Sequence, residues 1–258
     1  MLSNYHTHTY RCQHATGEDE EYVKRAIDAG IKKLGFSDHA PMPYPEGYIS
    51  FYKMANDEAE EYMSSILALG EKYKDKINIH VGFEAEYYPE IFDECLKYWR
   101  RLGAEYIILG QHFTMGSEWE KTRRASSLPS DNEALLHYTD TCCEALSTGK
   151  FTYFAHPDLL NYIGDDVNTY ERCVCEVVRA SNDTKTPLEI NFLGIKTNRN
   201  YPSERFWEIA SKYNPSVIFG IDAHSPSDFD FAEIENKALQ LARKYNLRIV
   251  DDIDFKKI

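Results

Sequence analysis

The chain alternates short segments rich in β-forming residues with longer amphipathic segments, and this alternation constrains the fold more than any other feature. The spacing of apolar residues predicts seven strands, at Ser3–Thr7, Lys33–Ser37, Asn78–Glu84, Glu105–Gly110, Thr152–Ala155, Pro187–Asn191 and Ser216–Ile221. The segments that follow them predict seven helices, at Glu18–Ala29, Asn56–Tyr73, Glu90–Leu102, Asp131–Thr148, Thr169–Ser181, Ser203–Lys212 and Phe231–Tyr245. Strands that alternate with helices pair in parallel through right-handed crossovers. The sequence therefore predicts a β/α barrel or a doubly wound sheet.

The chain of 258 residues suits one large α/β domain or two small ones. No linker rich in Pro, Gly or Ser interrupts it, and no short repeat or low-complexity segment is present. We therefore expect residues 1–258 to form a single domain.

Charge and hydrophobicity limit the possible partners. The formal net charge of −13, with no run rich in Lys or Arg, is unfavourable for binding nucleic acid. No apolar run approaches the roughly 18 residues of a membrane span. The N-terminus lacks the basic and apolar regions of a signal peptide. We expect a protein of the cytoplasm that binds neither nucleic acid nor membranes.

The six cysteines form no C-x-x-C pair, so a zinc ribbon or a thioredoxin-like motif is not expected. Most of them fit small core residues in a reducing compartment. Cys12 is ambiguous because it lies among the histidines described next.

Polar residues that can bind metals are concentrated where the predicted strands end. Seven of the nine histidines, one glutamate and one aspartate lie at the carboxyl end of a strand or just after it. They are His6, His8, His14, His39, Glu84, His112, His156, Asp222 and His224. In parallel β/α folds these strand ends face the active site. A single histidine at such a position is ordinarily a hydrogen-bonded loop residue, so the prediction depends on the whole ordered set.

The spacing of these residues indicates metal binding. His6 and His8, like Asp222 and His224, are two residues apart, and residues i and i+2 of a strand point to the same face. Imidazole and carboxylate groups together suit zinc, manganese or iron. Nine ligands exceed the roughly four that one zinc ion takes. The count predicts two or three divalent metal ions with a bridging carboxylate, whereas His80 and His137 fall outside the set.

These residues carry a resemblance to a known family. The motifs His6-Thr7-His8, Ser37-Asp38-His39, Gly82-x-Glu84, His156-Pro157-Asp158 and Gly220-x-Asp222-Ala223-His224, with His14 and His112 between them, resemble those of the PHP (polymerase and histidinol phosphatase) superfamily. The resemblance runs from about His6 to His224. It implies a distorted, TIM-barrel-like (β/α)7 barrel, a site at the C-terminal ends of the strands, and a metal-dependent phosphoesterase.

The resemblance also implies how the ligands divide among three metal ions. The first ion would take His6, His8, Glu84 and Asp222; the second Glu84, His112 and His156; the third His14, His39 and His224. Asp38 and Asp158 lie near ligands and either orient imidazoles or make ordinary loop hydrogen bonds. Glu86 shares a strand face with Glu84 and is its rival, although the Gly-x-Glu context favours Glu84.

Within the superfamily the chain looks most like the histidinol-phosphatase branch. The segment Asp38-His39-Ala40-Pro41-Met42-Pro43, the run Glu189-Ile190-Asn191 with Gly194, and Tyr201-Pro202-Ser203 carry that similarity. Three features depart from it: the residues between His8 and His14, Gln111 before His112, and Lys196 where an arginine is common. These departures concern the pocket more than the metal ligands, so they affect the expected substrate more than the expected reaction.

The expected reaction is hydrolysis of a small phosphate monoester, with L-histidinol phosphate as the leading substrate. Metal ions lower the pKa of bound water and neutralise phosphoryl oxygens, so we expect in-line attack by a metal-bound hydroxide. Arg199, Lys196 and Arg11 are candidates to bind the phosphate, with Arg199 preferred. Each of them could instead be a solvated surface charge.

The segment Tyr44–Tyr52 is rich in aromatic residues. It either forms a lid over an imidazole-bearing substrate, with Glu46 pairing with the substrate's amine, or packs on the rim of the barrel. The rim is the slightly preferred interpretation.

Three other functions fit parts of the pattern. A PHP phosphoesterase acting on another small phosphate or a nucleotide is the nearest alternative. A metal-dependent amidohydrolase also begins with His-x-His, but no lysine lies at a suitable strand end to bridge its metals. A metal-storage module would not need complete ligand sets on the strand ends. The sequence leaves the oligomeric state, the native metal and the exact substrate open.

Overall fold

The computed structural model describes residues 1–120 and 124–258, without the side chain of Glu46. Within these ranges no helix is both long and apolar enough to span a membrane. The helices surround a curled parallel sheet, and the strands point their carboxyl ends towards one mouth.

The first half of the chain builds the more regular part of this sheet. Its elements are β1 (Ser3–Asn4), α1 (Asp19–Asp28), β2 (Lys33–His39), α2 (Ala59–Tyr73), β3 (Asn78–Ala85), α3 (Phe92–Leu102) and β4 (Tyr106–Leu109). The four strands are parallel, in the order β1-β2-β3-β4. The β2–β3 ladder runs from Lys33 beside Asn78 to His39 beside Glu84, so two candidate ligands are direct neighbours.

The second half contains shorter strands. Its elements are β5 (Phe113–Thr114), β6 (Arg124–Ala125), α4 (Asn132–Ser147), α5 (Val167–Thr184), β7 (Leu188–Asn191), α6 (Phe192–Lys196), α7 (Glu204–Ser211), β8 (Ser216–Gly220), α8 (Ala232–Lys244) and β9 (Arg248–Ile249). Strands β7, β8 and β9 are parallel, whereas β5 and β6 form a small antiparallel pair.

Two short connections close the curled sheet into a barrel. Residues 152–155 lie between β4 and β7: Ala155 N–H donates to Leu109 O at 2.8 Å, and Phe154 N–H donates to Pro187 O at 2.9 Å. On the other side, His8 N–H donates to Ala223 O at 2.9 Å. The result is the predicted distorted barrel rather than an open doubly wound sheet. The predicted fifth strand, Thr152–Ala155, is reduced to bridges at Phe154.

The helix and strand bounds follow local chemistry. The carboxylates of Asp131 and Asp166 each accept an N–H from the first turn of α4 and α5, which fixes where these helices begin. Gly103, with φ of 89°, ends α3 in the left-handed conformation that glycine tolerates. The predicted elements agree with the observed ones to within a few residues. β5, β6, α6 and β9 were not predicted, because segments this short carry no periodic signal.

The interior differs from one end to the other. Below the ligands the barrel is filled by a separate cluster that we call the floor. It consists of Tyr5, Tyr106, Ile108, Tyr153, Ala155 and Ile218, with Val250, Ile253 and Phe255 packed against it. The helices pack against the outside of the sheet through a much larger apolar core.

Candidate metal centre

Glu84 lies at the centre of the mouth, surrounded by imidazoles. It is 1% exposed, and its carboxylate oxygens lie 2.9–3.6 Å from ring nitrogens of five histidines. These are His6, His8, His39, His112 and His156. Glu86, two residues on, faces Lys53 instead, at 2.7 Å. The arrangement favours Glu84 over Glu86 as the central carboxylate.

Asp222 is a second carboxylate that faces several imidazoles. Its Oδ1 lies 3.5 Å from His6 Nε2, 3.2 Å from His8 Nε2 and 3.3 Å from His224 Nδ1. Two donors that share one tetrahedral zinc at about 2.1 Å lie about 3.4 Å apart. The observed separations therefore match donors that share a cation as well as they match hydrogen bonds.

His14, His39 and His224 form the outer part of the mouth. The ring centre of His14 lies 5.2 Å from that of His39 and 4.8 Å from that of His224. The His8 ring packs within 4.1 Å of His224. Donor atoms of His8, His39 and His224 lie within 4.8 Å of one another, as do those of His6, His156 and Asp222. All nine predicted ligands are thus brought to one place.

Several of these atoms are buried without a hydrogen-bond partner. They are His6 Nε2, His8 Nε2, His156 Nδ1 and Glu84 Oε2. Burying a polar atom without a partner costs about 1–3 kcal/mol. His6 Nε2, His8 Nε2 and Glu84 Oε2 lie among the other ring nitrogens and carboxylate oxygens of the cluster. The donor set therefore fits divalent metal ions, which would satisfy these atoms.

Buried carboxylates behind the ligands orient two of the rings. His6 Nδ1 lies 2.8 Å from Glu189 Oε1, and His8 Nδ1 lies 3.3 Å from Asp38 Oδ1. Each contact leaves the Nε2 atom of the ring facing Glu84 and Asp222. A carboxylate behind a ligating imidazole fixes its tautomer and raises its basicity. The contact expected of Asp38 is present, and Glu189 adds one that the sequence analysis did not assign.

The central carboxylates are held in their charged form. Burial raises the pKa of Glu84, but the imidazoles of His112, His39 and His6 outweigh it and hold this pKa well below its usual range. Burial likewise raises the pKa of Asp222, and the opposing effect of nearby imidazoles, His6 foremost, holds it well below its usual range. Ionised carboxylates are the form that binds a metal ion.

The imidazoles divide into two groups according to whether their pKa is lowered or raised. Burial, helped by neighbouring His8, lowers the pKa of His224 to about 4 and that of His39 well below its usual range. Burial also lowers the pKa of His8, but contacts with Asp222 and Asp38 outweigh it and raise this pKa well above its usual range. His39 and His224 are therefore held in the neutral form that a metal ligand requires.

The backbone makes room for this density of charge. A Cβ atom at Gly110 would lie 2.0 Å from Glu84 Oε1, and one at Gly220 would lie 1.7 Å from Glu189 Oε1. Any other residue at these positions would displace a carboxylate. His156 and Asp222 have positive φ values of 34° and 55°. Non-glycine residues rarely adopt such values, and they are concentrated at functional sites.

The candidate ligands open into a cavity of about 510 Å³. Its other walls are largely apolar or aromatic and include Tyr52, Phe113, Leu159, Leu193 and Tyr201. A space of this size, lined by both charged and apolar side chains, suits a small molecule with one strongly polar group.

Of the three predicted phosphate-binding cations, the structure places only Arg199 in this cavity. Its Nη1 donates to the Tyr201 hydroxyl at 2.6 Å. Lys196 instead pairs with Asp228, outside the cavity lining.

Arg11 was expected to be available to substrate, and the structure corrects this. The side chain is buried, and its guanidinium donates to both oxygens of Asp19, at 3.0 and 2.9 Å. It also donates to both oxygens of Glu61, at 2.7 and 3.1 Å. These four hydrogen bonds to two carboxylates hold the Arg11 side chain between α1 and α2, so its guanidinium is not available to a substrate.

Of the two roles open to Asp158, orienting an imidazole or an ordinary loop hydrogen bond, the structure shows the loop hydrogen bond. Its Oδ2 accepts the Ser203 N–H at 2.6 Å, at the start of α7. It therefore helps to hold the loop that carries Tyr201.

The segment Tyr44–Tyr52 lies along the cavity wall, and only Tyr52 from it lines the cavity. Tyr44 and Tyr48 point their hydroxyls at Glu118. This resembles the predicted rim packing more than a lid. The expected contact of Glu46 with a substrate amine falls on a side chain outside the described residues.

Four residues of the site were not assigned from the sequence: Glu189, Tyr201, Lys53 and Glu118. The signal available for Glu189 was a carboxylate in an otherwise apolar strand, which demands a partner when buried. The other three reach the site from loops, where no periodic pattern indicates direction.

The fold and the donor set together define a β/α-barrel enzyme with a candidate centre for divalent metal ions. A model of the PHP domain matches residues 4–192. The chain belongs to the PHP domain family.

Relatives of this chain carry related names. It is 27% identical over 243 residues, 89% of each chain, to a Deinococcus radiodurans protein named "Probable histidinol-phosphatase". It is 28% identical over 114 residues, 42% of each chain, to the histidinol-phosphatase of Bacillus subtilis.

A solved structure shares the fold. The histidinol phosphate phosphatase of Lactococcus lactis, in a complex with zinc, L-histidinol and phosphate, superposes with a TM-score of 0.71 at 21% identity. The match covers 98% of both chains.

Proposed function

We propose that this protein is a metal-dependent phosphomonoesterase that hydrolyses L-histidinol phosphate to L-histidinol and phosphate, a step of histidine biosynthesis. One observation carries the proposal. Two buried carboxylates, Glu84 and Asp222, contact six imidazoles and line one cavity together with Arg199 and several apolar and aromatic side chains. The relatives' names support it, and L-histidinol and phosphate, bound in one of them, are the two products of this hydrolysis.

We assign the nine clustered residues to three divalent ions, with zinc, manganese or iron as candidates. When bound, such ions supply an activated water and neutralise the oxygens of the phosphoryl group. The ligands are His6, His8, His14, His39, Glu84, His112, His156, Asp222 and His224. Glu84 and Asp222 each face several imidazoles, so they are the candidates to bridge.

The other groups of the pocket hold the substrate. Arg199 donates to the phosphate, and Tyr201 orients its guanidinium through their 2.6 Å hydrogen bond. Tyr52 and Phe113 line the cavity, where an imidazole ring can pack on their faces. Hydrolysis bonds the oxygen of water to phosphorus and breaks the P–O bond to the alcohol.

We further infer a single domain spanning residues 1–258, located in the cytoplasm. The six cysteines are all free in the structure, five of them buried. Unpaired thiols are the usual state of cysteine in a reducing compartment.

The deciding experiment measures phosphate release by Mn²⁺-loaded protein. L-Histidinol phosphate would be compared with sugar phosphates, nucleotides and p-nitrophenyl phosphate. We expect kcat/KM for histidinol phosphate far above the others, and its loss on chelation. Weak and even activity across the panel would retain a PHP phosphoesterase but reject histidinol phosphate as its substrate.

A matched pair of variants tests the phosphate-binding assignment. Arg199→Met removes a charged hydrogen-bond donor worth about 1.5–3 kcal/mol, which raises KM about 10- to 100-fold. Lys212→Met, which removes an exposed lysine paired with Glu171, should leave KM unchanged. Equal KM values for the two variants would reject Arg199 as the phosphate ligand.

A further inference from the structure

A buried ion cluster lies beside the proposed metal centre, and two of its members, Lys53 and Glu86, line the same cavity. Lys53 Nζ contacts Glu86 Oε1 at 2.7 Å and also contacts Glu118. The three side chains are 3%, 1% and 0% exposed, respectively. Removing charges from water in this way is expensive unless their partners compensate fully, so such a cluster is rarely incidental.

On one side the cluster holds the loop that walls the cavity. Glu118 accepts the Tyr44 hydroxyl at 2.7 Å, the Tyr48 hydroxyl at 3.5 Å and the Ser50 hydroxyl. Lys53 ends the same segment. We call residues 44–53 the wall loop, since Glu118 fastens it at several points along its length.

On the other side the cluster reaches a proposed metal ligand. Glu86 Oε1, the atom bound to Lys53, also lies 3.7 Å from His112 Nδ1. The other nitrogen of that ring, Nε2, lies 3.6 Å from Glu84. Glu86 Oε2 is fixed by the Tyr88 hydroxyl at 2.8 Å and by the Phe113 N–H at 3.1 Å. The ring of His112 is thus set between two carboxylates whose own positions are fixed.

The contacts of Lys53 join the two sides. Glu86 Oε1 lies beside both Lys53 and the ring of His112. Glu118 contacts both Lys53 and the hydroxyls of the wall loop. One lysine therefore connects the carboxylate beside His112 with the carboxylate that holds the loop.

We propose that Lys53 is a positioning residue of the metal centre: through Glu86 it sets the ring of His112, and through Glu118 it holds the wall loop against the cavity. The inference rests on the proposed metal site. It assigns Lys53 no contact with substrate. Binding of a cation at His112 and closure of the wall loop should stabilise each other.

The test is metal binding by the full chain, measured by competition with a zinc chelator together with total zinc content. Wild type should bind three ions. Lys53→Met should weaken one of them about 10- to 100-fold, the effect typical of residues that orient a ligand, and leave two unchanged. Lys212→Met is the control for loss of a lysine. A wild-type chain that binds no zinc would reject the metal centre itself, whereas equal affinities in wild type and Lys53→Met would reject only the role of Lys53.

Glu118→Gln separates the two sides of the cluster. It keeps the Lys53–Glu86 pair and loosens the wall loop, so zinc affinity should fall less than in Lys53→Met, through the coupling between the loop and the cation alone. Amide exchange in the wall loop should become faster. Loss of the same zinc ion in both variants would show general destabilisation and overturn the positioning role.

Lys53→Met leaves two buried carboxylates unpaired, so it can fail to fold. Hydrogen exchange on wild type then decides. Zinc should slow exchange in residues 44–53 and at Phe113, while the floor stays unchanged. Exchange in the wall loop that does not respond to zinc would reject the coupling.

Discussion

The two ends of the barrel are built from the same strands and differ in nearly every physical property. At the floor, Tyr5, Tyr106 and Ile218 pack with other apolar groups. A few residues further along the same strands, imidazoles and carboxylates face one another with several atoms unpaired. In the floor the Tyr153 hydroxyl is buried without a hydrogen-bond partner, whereas in the mouth four nitrogen and oxygen atoms of His6, His8, His156 and Glu84 are. The comparison teaches that the floor contributes stability, whereas the mouth is stabilised by what it binds.

The sharpest test of this division replaces the central carboxylate. Glu84→Gln removes the charge that five imidazoles face, so we expect kcat to fall by more than about 1000-fold with loss of bound metal. The matched control is Glu105→Gln, whose carboxylate pairs with His80 at 2.8 Å at the opposite end. Steady-state kinetics and metal content should separate the two variants. Similar losses of kcat and of bound metal in both variants would show that the mouth and the opposite end of the barrel do not differ in this respect.

The next test concerns a carboxylate behind the ligands. Glu189→Gln weakens the acceptor for His6 Nδ1 and for the His156 N–H. We expect a decrease of about 10- to 100-fold in kcat/KM or metal affinity, because the ring of His6 loses its fixed orientation. Assays at saturating and at limiting metal concentration distinguish a lower kcat/KM from a lower metal affinity. Unaltered kinetics at both metal concentrations would mean that Glu189 is not needed to orient the ring of His6.

A change at the floor should affect stability without activity. The Tyr106 hydroxyl lies 2.9 Å from Tyr5 O and 3.1 Å from Phe36 O. Tyr106→Phe leaves buried carbonyls short of a donor, costing about 1–2 kcal/mol and roughly 2–6 °C in Tm. Thermal unfolding and kcat should be measured on the same preparation. A loss of kcat beyond twofold would show that the floor also sets the geometry of the mouth.

The smallest effect is a pH dependence beside the floor. Lys256 follows Phe255 and donates to Thr184 O at 2.9 Å. Burial lowers its pKa to about 8, below the usual value of 10.5. The folded state therefore loses this proton first, so its contribution to stability is present above about pH 10.5 and is lost as pH falls through 8.

Denaturant unfolding between pH 7 and 10 checks this expectation. Wild type should gain stability relative to Lys256→Met as pH rises, while the exposed control Lys257→Met follows wild type. Parallel curves for wild type and Lys256→Met would place Lys256 in water and not against the floor.

The sequence by itself determined a parallel β/α fold and placed the candidate metal ligands at its strand ends. Alternating strands and helices indicated parallel pairing, and the i, i+2 spacing of His6 with His8 put two imidazoles on one face. Strand ends in such folds converge, so residues far apart in the chain could be assigned to one site. These are properties of local periodicity, and periodicity can be read from the chain.

Only the tertiary structure decided which charges remain free. Arg11 and Arg199 are both candidate phosphate ligands in the sequence, yet Arg11 is bound by two carboxylates on α1 and α2 and Arg199 lines the cavity. Lys53, 33 and 65 positions away from its two partners, shows the same limit. A buried charge takes whichever opposite charge the fold brings near it, and no short-range pattern encodes that choice.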